Sequence, residues 1–217
     1  ADLELTSQLE ELMKQDDTIH TLPFKQGVKD GLITYIQPMN EYIDAILAKI
    51  DTESIREAGL RIVIDPMFGV SRTALLSVLI TARCDVEIIN DRHDTLFGGR
   101  MPAPDASTLN KLRDVVREGG YDLGIATDGD ADRIGVIDST GAFLHPNMLL
   151  VVLYYYYLAY KGEKGDVVRN VATTHLLDKI AEDFGQQCHE VPVGFKHVSS
   201  AMEESDALIR GESSGGL

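Results

Sequence analysis

The chain has 217 residues, 44% apolar and 25% charged, long enough to bury one large core or two small ones and too apolar to be intrinsically disordered. Thirty-five acidic residues against 20 basic ones leave a formal charge of −15 with no basic stretch, which argues against a nucleic-acid or anionic-membrane partner. An anionic small substrate would need a local pocket of Arg, Lys or metal.

Leu5, Leu9, Leu12 and Met13 recur at helical spacing in an acidic amphipathic segment. Pro23, Gly27 and Gly31 break Thr21–Leu32 and mark it as a connector. A second helix carries Tyr42, Ile43, Ile46, Leu47 and Ile50 on one face. Arg61–Asp65 reads as a buried strand stopped by Pro66 and Gly69. Ala74–Ile80 is apolar nearly all round, so a helix covered on both sides is expected there. Val86–Ile89 is another strand.

The loop Asp91–Pro104 then leads to a helix start near Asp105, whose core face is Leu109, Leu112, Val115 and Val116. Strands Tyr121–Thr127 and Ile134–Asp138 flank an acidic loop. Met148–Tyr160 carries no charge; thirteen residues are too short to span a bilayer, which takes about 20, so a buried helix is expected. A polar turn at 161–165 precedes strand Val167–Thr173, helix His175–Phe184, strand His189–Val193, helix Lys196–Glu204 and strand Ala207–Arg210. Strands alternating with helices of this length imply parallel sheets with right-handed crossovers. The fold class is therefore α/β: two Rossmann-like three-layer units with mostly parallel sheets, divided near residue 161, the second incomplete.

Cys84 and Cys188 lie far apart with no CxxC spacing and read as buried thiols of a reducing, cytoplasmic compartment. The acidic opening Ala1–Glu4 lacks the basic flank and apolar run of a signal peptide.

The most informative stretch is Ala126-Thr-Asp-Gly-Asp-Ala-Asp-Arg133. Carboxylates at alternate positions raise one another's pKa unless a cation neutralises them. A hard divalent ion suits oxygen ligands, and Mg²⁺ suits a site with few protein ligands and a substrate phosphate. Gly129 and Ala131 are small enough for Asp128, Asp130 and Asp132 to converge, and Arg133 is placed to hold an anion such as a phosphoryl group. A solvated acidic turn is the bland alternative. An EF-hand fails, because Arg133 stands where its glycine belongs and Ser139 where its bidentate glutamate belongs.

Asp128-Gly-Asp-Ala-Asp-Arg133 between two strands resembles the metal-binding loop of the α-D-phosphohexomutases, the phosphoglucomutases and phosphomannomutases. Phe97-Gly-Gly-Arg-Met-Pro-Ala-Pro104 resembles a second-domain loop of that family, and Val191-Pro-Val-Gly-Phe-Lys196 a third-domain loop that touches the sugar. Gly211-Glu-Ser-Ser-Gly-Gly216 resembles the sugar-binding loop, in which Glu212 and Ser214 would hold sugar hydroxyls. The resemblance covers roughly residues 35–217. It implies a tail of a preceding domain and connector over 1–34, a second-domain unit with the metal loop over 35–160, and part of a third domain over 161–217.

Taken alone, 211–216 also reads as a flexible tail. It follows a strand, however, and ligands of α/β sheets bind beyond the carboxyl ends of strands, where Asp128, Gly194 and Glu212 all fall. Gly194 would allow close backbone approach and Lys196 could meet a phosphate, although a surface lysine is the plain reading of Lys196. Asp65-Pro-Met-Phe-Gly69 and Ser71 are read as a structural turn.

The resemblance further implies interconversion of hexose 1-phosphate and 6-phosphate, with glucose or mannose as the sugar, through an enzyme phosphoserine and a bisphosphate intermediate. It implies Mg²⁺ as the cofactor, with Asp128, Asp130 and Asp132 as ligands, Arg133 and Lys196 as catalytic groups, and Gly194, Glu212 and Ser214 as substrate-binding residues. The family's phosphoserine loop, Thr-Ala-Ser-His-Asn-Pro-like, and its Arg-x-Ser-Gly-Thr-like phosphate loop do not occur in the sequence. The expected account is a middle portion of a longer mutase, inactive alone. A non-catalytic phosphosugar- or metal-binding module is the alternative, and an Asp-nucleophile phosphatase a third. The sugar preferred and the oligomeric state are left open by these residues.

Overall fold

The computed structural model describes residues 3–15 and 20–216, in two units, residues 1–40 and 41–217. The first unit holds α1 (Leu3–Gln15) and α2 (Phe24–Lys29). Glu4 in the first turn and Lys14 in the last match the helix dipole of α1. Its apolar row, Leu5, Leu9, Leu12 and Met13, is exposed. Helix α2 lies inside the expected connector. The Pro23 carbonyl accepts the amides of Gln26 and Gly27, so this proline starts a short helix instead of breaking one.

The second unit opens on α3 (Met39–Leu47, which begins at the division) and α4 (Thr52–Ala58), whose Asp51 caps the amide of Ser54 at 3.0 Å. Five strands follow: β1 (Arg61–Asp65), β2 (Asp85–Ile88), β3 (Leu123–Thr127), β4 (Ile134–Asp138) and β5 (Phe143–Leu144). They form one sheet in the order β2-β1-β3-β4-β5. β1 pairs in parallel with β2 and β3, whereas β3–β4 and β4–β5 are antiparallel. The sheet is thus mixed. The short loop between β3 and β4 has too few residues for a parallel crossover, which needs about a dozen or more, so the acidic loop is a reversal between adjacent strands.

The two-residue alternation of β1 supplies two cores. Ile62 and Ile64 face α5 (Arg72–Thr81) with Leu79, Ala82 and Cys84. Val63 faces α6 (Asn110–Gly119) with Leu109, Leu112, Val116 and Ile137. Helix α5 is only partly covered: Leu79 is buried, 74–78 are half-buried and Ile80 is exposed, because a helix on an outer layer meets one sheet face. Helix α6 starts later than Asp105. The Asp105 carboxylate instead accepts the amides of Ser107 and Thr108 in a turn ahead of it.

A second sheet, ordered β7-β6-β8, is wholly parallel: β6 (Val167–Asn170), β7 (Cys188–Val191) and β8 (Ile209–Gly211). Val167 packs with α7 (Pro146–Ala159) and α8 (Leu176–Asp183) on one face, and Val168 with α9 (Phe195–Ser205) on the other. Helix α7, expected to be a buried helix, is half-exposed and packs Leu150, Tyr154 and Leu158 into one core with Val167 and Leu177. Of its four successive tyrosines only Tyr154 is buried, donating to the Gly165 carbonyl at 3.0 Å, while Tyr155 and Tyr156 face outward. Among the described residues no helix is long and apolar enough to cross a membrane. Both cysteines are free thiols; burial pushes both up, Cys188 to about 11.

Candidate functional site

The acidic loop is a tight reversal. The Ala131 amide donates to the Asp128 carbonyl at 3.2 Å, with Ala131 held in the left-handed region at φ 66°. The Asp128 side chain is buried and those of Asp130 and Asp132 are exposed; one carboxylate oxygen from each lies within 4.8 Å of the others. Asp128 is clasped by Arg133, whose backbone amide donates to Oδ1 at 3.0 Å and whose Nε donates to Oδ2 at 2.7 Å. Burial pushes the Asp128 carboxyl up, but the hydrogen bonds from Arg133 outweigh it and hold the group below its ordinary value. The hydrogen bond to Asp128 pushes the Asp132 carboxyl up, with desolvation and the charges of Asp128 and Asp130 adding to it. Three converging carboxylate oxygens repel one another unless a hard cation sits among them, and three protein ligands leave positions for water or a phosphate oxygen. The residues fit Mg²⁺.

Glu212 follows β8 directly. Its Oε1 accepts from Asn170 Nδ2 at 2.8 Å and from the Gly194 amide at 3.3 Å; Oε2 has the Ser214 hydroxyl at 3.4 Å. Gly194 sits at φ 129°, where an L side chain would be strained, and this conformation turns its N–H towards the carboxylate. The buried Asn170 also accepts from the Thr173 hydroxyl at 2.9 Å, and Thr173 accepts the Ser213 amide at 3.1 Å. The end of β6 therefore fixes the loop that β8 feeds.

The two loops meet. The Ile134 amide, at the end of the acidic loop, donates to the Gly215 carbonyl at 3.1 Å. Asp130, Asp132 and Arg133 then share one cavity of about 320 Å³ with Phe195, Glu212, Ser214 and Gly216. Stretches far apart in sequence thus line one pocket. Asp128 lies beneath, joined through Arg133. Lys196 is exposed on the first turn of α9 and does not line the cavity; Phe195 beside it does, with the Arg210 guanidinium 4.5 Å from its ring centre.

Asn170, Thr173 and Phe195 are additions to the set expected from sequence. For Asn170 the carboxyl-end rule becomes a signal only once the strand is known to stop there: the strand read over Val167–Thr173 runs past it, whereas β6 ends at Asn170. Phe195 has no such signal, because an apolar residue opening a helix reads as core.

Two family models match the chain: "Phosphoglucomutase/phosphomannomutase, alpha/beta/alpha domain II" over residues 40–141 and "alpha/beta/alpha domain III" of the same family over 145–217. The chain belongs to the phosphoglucomutase/phosphomannomutase family. A phosphoglucomutase/phosphomannomutase of Thermococcus kodakarensis is 33% identical over 176 residues, which are 81% of this chain and 38% of that protein. The crystal structure of a putative phosphomannomutase from Thermus thermophilus matches with a TM-score of 0.78 at 31% identity, over 83% of this chain and 42% of that one. An N-acetylphosphoglucosamine mutase of Aspergillus fumigatus, solved with GlcNAc-6P and magnesium, shares the fold at 19% identity with a TM-score of 0.54, over 81% of this chain and 39% of that one. The chain thus spans about two fifths of the length of these relatives.

Proposed function

We propose that this chain supplies the Mg²⁺-binding and sugar-binding loops of a phosphohexomutase that interconverts hexose 1-phosphates and 6-phosphates through an enzyme phosphoserine and a bisphosphate. The observation that carries this reading is the shared cavity, lined both by the acidic loop and by Glu212 with Ser214. Asp128, Asp130 and Asp132 would hold Mg²⁺, as the Aspergillus relative was solved with magnesium. Bound there, the ion would offset charge on a transferring phosphoryl group.

The chain's own groups divide the remaining work. Arg133, on the cavity wall, adds a directional donor for phosphoryl oxygens. Glu212 has Oε1 held by two protein donors, which leaves Oε2 to accept from a sugar hydroxyl while Ser214 donates or accepts beside it. Lys196, exposed on the first turn of α9 and outside the cavity lining, would meet a substrate phosphate with its long flexible side chain. Residues 1–34 are the connector to a preceding domain in this reading, and the protein acts in the cytoplasm.

The phosphoserine-loop string is absent from these 217 residues, so the chain alone is expected to lack turnover. Pure protein incubated with glucose 1-phosphate, Mg²⁺ and a trace of the bisphosphate should form no glucose 6-phosphate and release no inorganic phosphate. Isomerisation by the pure chain would overturn this division of labour; phosphate release would restore the phosphatase reading. An antibody against the chain should detect a protein of the relatives' full length in its source cells. A band at 23.9 kDa would favour a free-standing binding module instead.

A further inference from the structure

The turn Asp65–Ser71 lies outside the cavity, yet it holds the acidic loop from behind. The Val70 amide donates to the Gly129 carbonyl at 3.1 Å, and the Ser71 hydroxyl bonds the Thr127 hydroxyl at 2.7 Å. Gly69 is pressed against the same backbone: a Cβ there would stand 2.5 Å from the Gly129 carbonyl oxygen and 2.9 Å from that of Asp128. Those atoms are main chain and cannot swing aside, so any side chain at position 69 pushes the loop itself.

The turn is built at a cost. Met67 and Phe68 occupy the left-handed region in succession, at φ 49° and 65°, although neither is glycine. Such conformations are strained for residues that carry a Cβ and persist only where the surroundings enforce them. Enforcement comes from the buried Asp65, which accepts the Met67 amide at 2.8 Å and Asn90 Nδ2 at 2.9 Å, and from the Phe68 amide bonded to the Asn90 carbonyl at 2.9 Å. The opposite side of the loop is held as closely: a Cβ on Gly129 would lie 3.2 Å from Phe97 and 3.3 Å from Pro102, both of the 97–104 stretch.

We propose that Gly69 and Ser71 are positioning residues for the metal loop, setting the separation of Asp128, Asp130 and Asp132 without touching the ion. This rests on the Mg²⁺ reading of that loop. Groups that orient metal ligands are worth about 10–100-fold in affinity, so Gly69→Ala should weaken Mg²⁺ binding by that factor. Ser71→Ala removes one hydroxyl contact and should weaken it by about fivefold, the loss one net hydrogen bond represents; Ser71→Thr keeps the hydroxyl and should restore it.

The test is Mg²⁺ titration by isothermal calorimetry on the full chain and these three variants, with metal-free melting curves alongside. Weakened binding in a Ser71→Ala variant whose metal-free melt shows it folded at the titration temperature, and recovery in Ser71→Thr, supports positioning even if Gly69→Ala fails to fold. Parent-like Mg²⁺ affinity in Ser71→Ala, or in a folded Gly69→Ala, overturns it while leaving the metal reading intact. A parent chain that binds no Mg²⁺ overturns both.

Discussion

At the scale of single residues, the acidic loop divides its labour by burial. Asp128 is buried and tied to Arg133, whereas Asp130 is exposed on the cavity wall. Asp130→Asn should therefore weaken Mg²⁺ binding at least as much as the roughly 10–100-fold lost when a group that merely orients a ligand is changed. Metal-free stability should shift by no more than about 0.5 kcal/mol, as for other surface substitutions. Calorimetry and a urea melt on the same sample check both halves. The convergence of the three carboxylates is legible in the sequence, because small residues between alternating acids let a short reversal between two strands bring them together. Asn170 is not, because what gives it meaning is Glu212, 42 residues away, and that pairing exists only once β6 and β8 are neighbours. Lys196 and Phe195 show the same limit: the motif names the lysine, and only the structure shows that the phenylalanine beside it lines the cavity.

At the scale of elements, the sheets are readable from their apolar runs and the details of their joins are not. Helix α6 is legible through Leu109, Leu112 and Val116, all fully buried. Leu112→Ala should cost about 2–5 kcal/mol by leaving a cavity under the sheet, read as a lower urea midpoint with an unchanged slope. Helix α2 escapes the pattern because proline reads as a breaker, whereas Pro23 stands where its carbonyl is wanted and its missing N–H is not. Helices α5 and α7 read as buried all round because apolar periodicity cannot say how many neighbours a helix will have. In β6 the buried Arg169 is held by Asp178 at 2.7 Å and Glu190 at 2.8 Å. The hydrogen bond from Arg169 holds the Asp178 carboxyl below its ordinary value, against desolvation. A lowered folded-state pKa adds stability that is complete above the unfolded value and lost as pH falls through the folded one. The stability deficit of Asp178→Asn should thus be largest near neutral pH and shrink on acidification below about pH 4. A deficit constant across that range would mean the pair contributes packing alone.

At the scale of the whole molecule, the proposed function asks a strongly acidic chain to receive an anionic sugar phosphate, which Arg133 and a cation on the acidic loop would reconcile. The sequence makes that conflict visible through its charge of −15 and its acidic loop. What it cannot display is that the loop and Glu212 share one cavity, since the Ile134–Gly215 bond that joins them depends on how two stretches are brought together in space. The central claim is that joint site. It is tested most directly by titrating glucose 1-phosphate into the chain, with and without Mg²⁺, for the parent and for Glu212→Gln. The account predicts saturable binding that requires Mg²⁺ and is weakened about tenfold or more in the variant, as loss of a charged hydrogen bond implies. No saturable binding, or binding indifferent to both Mg²⁺ and Glu212, would contradict it.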